Sequence, residues 1–487
     1  MSRLNAIVRR LDNRMNPIVV KELRQTSRGK FLIVILLGFL FIQLTVTGVV
    51  SFFATTGSAP GPQLFQALLG FLTGTCALLI PAYAGFRLAN ERADANVDLL
   101  FSTTLKPHSI IWGKTLSAGI LTCMIYSACM PFIIMTYMLR GIDLQLTIQL
   151  LAISFIFVLT ATQIGILIGS MPGNRVIKGI VGLFTLFSIF GYLMIGIVTV
   201  FFARTFGGID FLSFLTTYEG MWATIGIIAG GLLASAGLFL MSAAFVSPPS
   251  SNRALAPRIY STALWGLSLA VVLICSEIYS SSSPIVGWMT AFSGIFGTAL
   301  VISVCERDEL GVRVRRKIPR SGAARAFAFL FYSGSAGGFI WSSIGIVLTL
   351  LIGSYFATSV SASMISSDLE AILYPLTFGA CVSWIGALGA VLIHRKLLKN
   401  RISSVYTWLI AYGIQIIGSL LWAVFLIGAN MGGFGGMASG PAASAENYPS
   451  AAAGLIALIL CLIGLPWMAR QIAAFKPYFR STNAPQK

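Results

Sequence analysis

Residues 147–170 read TIQLLAISFIFVLTATQIGILIGS and contain no charged side chain. A helix of this length rises about 36 Å, whereas the hydrocarbon core of a bilayer is about 30 Å thick. Apolar blocks of similar length recur along the chain and are separated by short polar links. We count twelve, at residues 31–52, 64–86, 111–136, 147–170, 179–203, 222–246, 259–279, 284–304, 337–357, 372–393, 404–428 and 451–469. The pattern predicts an all-α polytopic membrane protein with about twelve transmembrane helices.

The Lys and Arg residues concentrate in alternate links. Of the 33, all except Arg140 and Arg204 lie in the two tails or in every second link between spans. Because cations translocate poorly, links rich in Lys and Arg remain in the cytosol. We therefore expect a multi-pass protein of the cell membrane, in bacteria the inner membrane, with both termini in the cytoplasm.

The composition argues against soluble proteins and nucleic-acid-binding proteins. Charged residues make up 10% of the chain, against about one quarter in soluble domains. The net charge of +18 comes from residues that flank the spans, where anionic lipid attracts them. We expect the lipid bilayer as a partner and no nucleic acid. The spans carry no charged residue near their centres, which argues against a proton-coupled carrier.

No constellation of residues predicts catalysis or metal binding. His108 and His394 have no second His or Cys at ligand spacing, and no paired carboxylates or nucleophile with a base stand out. Gly113-Lys114-Thr115 imitates the end of a phosphate-binding loop, but His108 occupies the position of its first glycine. We expect no enzyme activity, no metal and no directly bound cofactor. Any ATP must be hydrolysed by a separate chain.

The tail before the first span has the pattern of an amphipathic helix in the headgroup plane. Asn16 is a candidate N-cap, and Pro17 stands at the first helical position. After them, Val19, Val20 and Leu23 oppose several cations. Two interpretations stay open: an anchor that only orients the first span, or a lever that transmits force from a cytosolic partner.

The link after the second span mixes acids and bases. A helix over 88–101 would be amphipathic, and Ser102 and Thr103 would end it before a turn at Pro107. Such a short charged helix between two spans suits the docking of a protein better than catalysis.

Both segments resemble the permease subunits of type-2 ABC exporters. Residues 16–24 are similar to that family's opening NPxxxKELR. Residues 91–114 are similar to its pattern ERExGTLELLLSTPLSP followed by GK. This chain departs from the pattern at Ala95-Asn96, at Asp98 and at Thr104, where Gly-Thr, Glu and Pro are usual.

The resemblance implies a role for each segment, because in that family the first is the connecting helix and the second is the coupling helix seated in the ATPase. The implied connecting-helix residues are Asn16, Pro17, Lys21, Glu22, Leu23 and Arg24. The implied ATPase-coupling residues are Glu91, Arg92, Asp94, Asp98, Leu99, Leu100, Ser102, Thr103, Leu105, Pro107, Gly113 and Lys114.

The resemblance covers about residues 13–246 and so implies a domain organisation. We expect a cytosolic amphipathic connecting helix at 1–30, a six-span ABC exporter permease module at 31–246 and an additional six-span region at 247–487. The implied function is that of a permease subunit of an ABC export system. An ABC ATPase subunit would use the ATP, and the permease would form a homodimer or a heterodimer with a related permease. A membrane scaffold or assembly factor built on the same module is the alternative.

Three further patterns bear on packing and on the membrane surface. Residues 211–215 form either a short helix in the outer interface or an ordinary link with buried aromatics. Residues 326–332 are too short to cross and lie at the interface, after a cationic link that contains Arg313, Arg315, Arg316 and Lys317. Small-residue pairs such as Gly165/Gly169 and Gly226/Gly230 favour close helix packing.

Overall fold

The computed structural model describes most of the chain, and the statements below concern that part. The described residues are 17–28, 30–53, 60–93, 106–138, 143–171, 173, 176, 178–189, 191, 211–248, 250–306, 308, 310–360, 366–397, 407–432 and 447–477. Their regular secondary structure is helical throughout. They group into two compact units, Met1–Ser247 and Pro248–Lys487.

The first unit contains eight helices in its described part. They are α1 Pro17–Arg28, α2 Lys30–Phe53, α3 Pro60–Ala93, α4 Pro107–Met138, α5 Leu144–Ser170, α6 Lys178–Ile189, α7 Phe211–Thr216 and α8 Tyr218–Val246. The first helix begins at Pro17 as expected, and a short helix does form at the link that precedes α8. The expected helix over 88–101 is different: residues 88–93 are the last part of α3, and the remainder lies outside the described residues.

The second unit also contains eight α-helices in its described part. They are α9 Leu255–Tyr279, α10 Ser283–Ser303, α11 Val312–Arg315, α12 Gly322–Phe331, α13 Ser335–Val360, α14 Ser366–Leu392, α15 Thr407–Gly432 and α16 Asn447–Ala474. A π-helical turn, Ile393–Leu397, follows α14. The apolar segment that precedes α13 forms the separate helix α12, as the sequence indicates.

The lengths and composition of these helices confirm an all-α, multi-pass membrane protein. Within the described residues, nine helices are long and apolar enough to cross a bilayer: α3, α4, α5, α8, α9, α10, α13, α14 and α16. The other three predicted spans coincide with α2, α6 and α15, whose described apolar parts are shorter. The count of twelve stays a prediction.

The first unit is held together by the crossing of α3 and α5, where the two backbones touch. A Cβ added at Gly165 would lie 2.4 Å from the carbonyl oxygen of Pro81, and one added at Gly169 would lie 2.4 Å from that of Gly85. Only glycine permits such an approach, as expected for small-residue pairs. By contrast, Gly226 and Gly230 of α8 have no such neighbour within 4 Å. The contact makes α3 and α5 one rigid pair.

The second unit is centred on α10 and α13, which pack differently. The ring of Phe296 lies over Gly345, and the side chain of Met289 lies over Gly353. Indole groups bind hydroxyls across the same core: Trp265 Nε1 donates to Thr349 Oγ1 at 2.9 Å, and Trp288 Nε1 donates to Ser268 Oγ at 2.9 Å. Here glycines receive side chains rather than a neighbouring backbone.

Candidate functional site

The helix before the first span packs against the first unit along one face. Val19 of α1 is fully buried, and Ile18 packs against the core of the unit. Glu22 lies on the same helix one turn after Ile18 and is only 4% exposed. A carboxylate is rarely buried to this extent unless cations compensate it.

Those cations come from the ends of two spans. Lys114 Nζ, near the start of α4, lies 2.9 Å from Glu22 Oε1 and 2.8 Å from Glu91 Oε2. Glu91 is in the last turn of α3. The Lys114 ammonium therefore joins α1, α3 and α4 at one point, and its side chain is only 5% exposed.

A second cation reaches the same carboxylate from α3. Arg87 Nη1 lies 3.0 Å from Glu22 Oε2 and donates to the Tyr83 hydroxyl at 2.6 Å. Its other terminal nitrogen donates to the side-chain oxygen of Gln25 on α1. Tyr83, Arg87 and Glu91 are spaced four residues apart, so α3 presents them on one face.

We call Glu22, Arg87, Glu91 and Lys114 the first-unit ion cluster. It contains two carboxylates and two cations, so its formal charges cancel, as burial requires. Lys21 lies at its edge, 3.8 Å from Glu91 with a side chain that is 59% exposed. An exposed ion pair of this kind contributes little to the stability of the fold.

The structure thus brings together residues from both segments that the sequence analysis singled out. Lys21 and Glu22 of the first contact Glu91 and Lys114 of the second. The structure also places six further residues of these segments: Pro17 begins α1, Leu23 is half-buried, Arg24 is exposed, the backbone of Arg92 lies in α3, Pro107 begins α4 and Gly113 is buried in α4. Asn16, Asp94, Asp98, Leu99, Leu100, Ser102, Thr103 and Leu105 lie outside the described residues.

Sequence reasoning missed three members of this site: Gln25, Tyr83 and Arg87. The signal was available for two of them, because Tyr83 and Arg87 precede Glu91 at helical spacing at the end of a span. The partner on α1 had no such signal, since nothing in the chain order indicates that Gln25 faces Arg87.

The second unit has its own buried cation at the end of a span. Arg258 Nη2 lies 2.7 Å from both carboxylate oxygens of Glu306, and its side chain is only 5% exposed. Arg258 Nη1 donates to the carbonyl oxygens of Leu330 and Tyr332, each at 2.8 Å. Glu306 also accepts from the backbone N–H of Gly334 at 2.7 Å.

A second ion pair extends this arrangement. Arg395 Nη2 lies 2.9 Å from Asp308 Oδ2, and Asp308 Oδ1 accepts from the backbone N–H of Ser335 at 3.2 Å. We call Arg258, Glu306, Asp308 and Arg395 the second-unit ion cluster. In the sequence, Arg258 and Arg395 stand out only as cations of the predicted inner links. The available signal for an ion cluster was the presence of two acids, Glu306 and Asp308, on either side of a cation of such a link.

Both clusters have the composition of salt bridges. Each consists of carboxylates that are paired with Lys or Arg. In the part of the chain that the structure describes, no three His, Cys, Asp or Glu side chains group as metal ligands. The arrangement joins helices mechanically.

Comparisons of the chain with protein-family models, with curated proteins and with solved structures gave no match.

Proposed function

We propose that the chain is the membrane permease subunit of an ATP-driven ABC export system, in which a separate ATPase docks on the link between α3 and α4. Two copies, or one copy with a related permease, would frame the path. The proposal includes twelve spans, insertion in the cell membrane and both termini in the cytoplasm.

One observation carries the proposal: the two segments that resemble the exporter family meet through their own motif side chains. Glu22 and Lys114 are 92 positions apart in sequence, yet their charged groups lie 2.9 Å apart in a buried site. The resemblance was drawn from residue order alone, whereas this contact depends on how three helices pack. The contact supports a shared role for the two segments.

The geometry supports transmission of force from the link to the spans. Glu91 and Lys114 stand on the two helices that the link connects, and Glu22 ties both to α1 through Lys114 and Arg87. Buried charges separate only at a large cost in free energy, so α1 and the ends of α3 and α4 move together. Because α3 touches α5 backbone to backbone, a displacement of the link also carries α5.

The same geometry supports hydrolysis of ATP by another chain. A phosphate-binding loop needs a lysine whose ammonium is directed at phosphate oxygens. Lys114 Nζ instead lies within 3 Å of two carboxylate oxygens, which neutralise it. Lys114 therefore has structural partners, Glu22 and Glu91, that account for a buried ammonium at this position without a nucleotide.

Co-purification from the native host tests the docking role. The full chain, tagged and solubilised in mild detergent, is expected to bring down an ATPase that is recognised by its phosphate-binding-loop sequence. Replacing residues 94–105 by a Gly/Ser linker of equal length leaves the first-unit ion cluster in place and is expected to abolish that association.

The matched control replaces residues 398–403, part of a link on the same predicted side, and is expected to retain the ATPase. Retention of the ATPase by the 94–105 variant would refute docking on this link. A complex that holds other membrane proteins but no ATPase would instead favour the scaffold interpretation.

A further inference from the structure

The helix α12 of the second unit packs against the core of the unit through Phe329, Leu330 and Phe331, whereas the described residues leave its other apolar face, with Phe327, exposed. Its ten residues, GAARAFAFLF, rise about 15 Å, half of what a bilayer core requires. Arg325 is its one charged residue, and none of its residues is buried. Phe327 is 67% exposed. An apolar helix left open in this way marks a surface that lipid or another partner covers.

This helix is held in a fixed place at the ends of the spans. The Arg258 guanidinium binds the carbonyl oxygens of Leu330 and Tyr332 where α12 ends. The rings of Phe329 and Tyr332 pack against Phe475, with centroids 5.3 and 5.5 Å apart. The long apolar helix α13 begins four residues after α12 ends, so α12 lies next to the end of a predicted span.

The link that leads into α12 carries exposed cations on a fixed backbone. Val314 and Ile318 are buried and anchor it, and the Tyr332 hydroxyl donates to the carbonyl oxygen of Lys317 at 3.0 Å. Four cations of this link are exposed and form no ion pair with a described residue: Arg313, Arg315, Lys317 and Arg320. The link thus presents concentrated positive charge beside an apolar helix.

We propose that this surface binds the headgroup of an anionic phospholipid. Arg313, Arg315, Lys317 and Arg320 hold the lipid phosphate, and the acyl chains cover α12 around Phe327. Guanidinium groups match phosphate oxygens with paired donors, and cations near the end of a span are attracted by an anionic leaflet. We call these five residues the lipid-binding surface. The proposal is independent of any ATPase.

The combination of charge and apolar area favours a lipid over a soluble partner. A nucleic acid or an acidic peptide supplies negative charge for the four cations, but it leaves the apolar residues of α12 in water. A phospholipid satisfies both parts at once, because its phosphate pairs with the cations and its acyl chains cover the exposed Phe327.

Lipid titration of the purified full chain tests the proposal. The probe is fluorescent phosphatidylglycerol added to the protein in mild detergent, with fluorescent phosphatidylcholine as the neutral comparison. We expect phosphatidylglycerol to bind more tightly. Each cation near an anionic leaflet contributes roughly fivefold to binding. The variant R313Q/R315Q/K317Q/R320Q is therefore expected to lose at least about tenfold in affinity for phosphatidylglycerol.

Two further variants distinguish the contribution of the positive charges to lipid binding from that of the apolar contact at Phe327. R313K/R315K/R320K keeps every charge and is expected to stay within about threefold of the unaltered chain. F327S keeps the cations, so it is expected to weaken binding of phosphatidylglycerol while leaving any binding of soluble glycerol phosphate unchanged. Thermal unfolding of each variant shows that the chain is folded.

Three results would overturn the inference. Equal affinity for phosphatidylglycerol and phosphatidylcholine would remove the headgroup site. Unchanged affinity in the folded quadruple variant, or in a folded R313Q/R315Q variant made for the same purpose, would remove the cations from it. Full displacement of the lipid by soluble heparin, together with an F327S variant that binds the lipid normally, would identify a surface for soluble polyanions.

Discussion

The two units each bury a cation at the end of a span, but they bind it in different ways. In the first, Lys114 contacts the side chains of Glu22 and Glu91. In the second, Arg258 contacts Glu306 and also the backbone carbonyl groups of Leu330 and Tyr332 at the C-terminal end of α12. The first-unit ion cluster joins separate helices through side chains, whereas the second fixes the backbone at the end of a helix.

This difference indicates different uses of similar chemistry. Helices that are joined by side-chain ion pairs can be displaced together by a force applied to one of them. Around Arg258 and Glu306, backbone carbonyl groups and the N–H of Gly334 are hydrogen-bonded to a buried ion pair. This stretch of backbone has little conformational freedom, because every lost bond leaves a buried polar group unsatisfied. The first cluster suits transmission, and the second suits a fixed surface.

The largest expected effect comes from removing the cation of the second cluster. Arg258→Met leaves Glu306 with only the Gly334 N–H as a donor and removes the guanidinium from the carbonyl groups of Leu330 and Tyr332. We expect a loss of about 5 kcal/mol in the free energy of unfolding, at the upper end for a broken buried pair. Thermal unfolding in detergent measures it, with Arg470→Met, an exposed cation of the same unit, as the control. Equal stability of R258M and R470M would show that the contacts of Arg258 contribute nothing to the free energy of unfolding.

Removing the cation of the first cluster is expected to cost less. In Lys114→Met, Glu22 keeps Arg87 at 3.0 Å and Glu91 keeps Lys21 at 3.8 Å. We expect a loss of about 3 kcal/mol. The control is Lys21→Met, whose exposed pair is worth about 0.5 kcal/mol. If K21M and K114M unfold at the same temperature, the buried pairs do not stabilise the unit.

The two units also differ in how their central helices pack, at the crossing of α3 with α5 and at that of α10 with α13. Gly165→Ala places a methyl group against the backbone of Pro81, which cannot move without separating α3 from α5. We expect a loss of about 2 kcal/mol. Gly353→Ala meets the side chain of Met289, which can change rotamer where a backbone cannot, and we expect a smaller loss of about 1 kcal/mol. Thermal unfolding ranks the two variants, and a larger effect of G353A would contradict this account of the crossings.

Gly226→Ala serves as the control for both glycine variants. No atom lies within 4 Å of a Cβ added there. Alanine is a better helix former than glycine, so we expect no loss of stability and a gain of at most about 1 kcal/mol.

The smallest expected effect is on the alkylation rate of Cys305, whose thiol lies beside Glu306 of the second-unit ion cluster. Burial, together with the nearby Glu306 carboxylate, raises the pKa of Cys305 to about 12. Since the thiolate is the reactive form, only about one Cys305 in 10,000 is reactive at pH 8. In a chain with Cys305 as its single cysteine, we expect alkylation to be slow and to accelerate about tenfold for each pH unit between 7 and 9. Ser321→Cys, exposed in the same link, is the control, and equal rates would refute the buried environment.

Much of the architecture was predictable because it depends on local patterns. Uninterrupted apolar length predicts spans, and Pro17 after Asn16 predicts the start of α1. These features need no knowledge of what packs against what. The described helices agree with all of them, although the count of twelve spans is not settled by nine long helices among the described residues.

The partners within each cluster were not predictable for the same reason. A Lys after a Gly at the start of a span has the same local pattern whether its ammonium faces water, lipid or carboxylates. Three-dimensional packing decides that Lys114 meets Glu22 and that Arg258 meets the C-terminal end of α12. The resemblance singled out Glu22, Glu91 and Lys114 as residues of interest, but it did not indicate that they contact one another.

The most direct test of the central claim is ATP hydrolysis by the co-purified ATPase in vesicles that contain the full chain. We expect the unaltered chain and K21M to support the same turnover. A folded K114M chain is expected to retain the ATPase on its link but to support a lower turnover, because force no longer passes between the link and α1. Unchanged turnover with a folded, ATPase-bound K114M chain would contradict the claim that the first-unit ion cluster transmits the work of the ATPase to the spans.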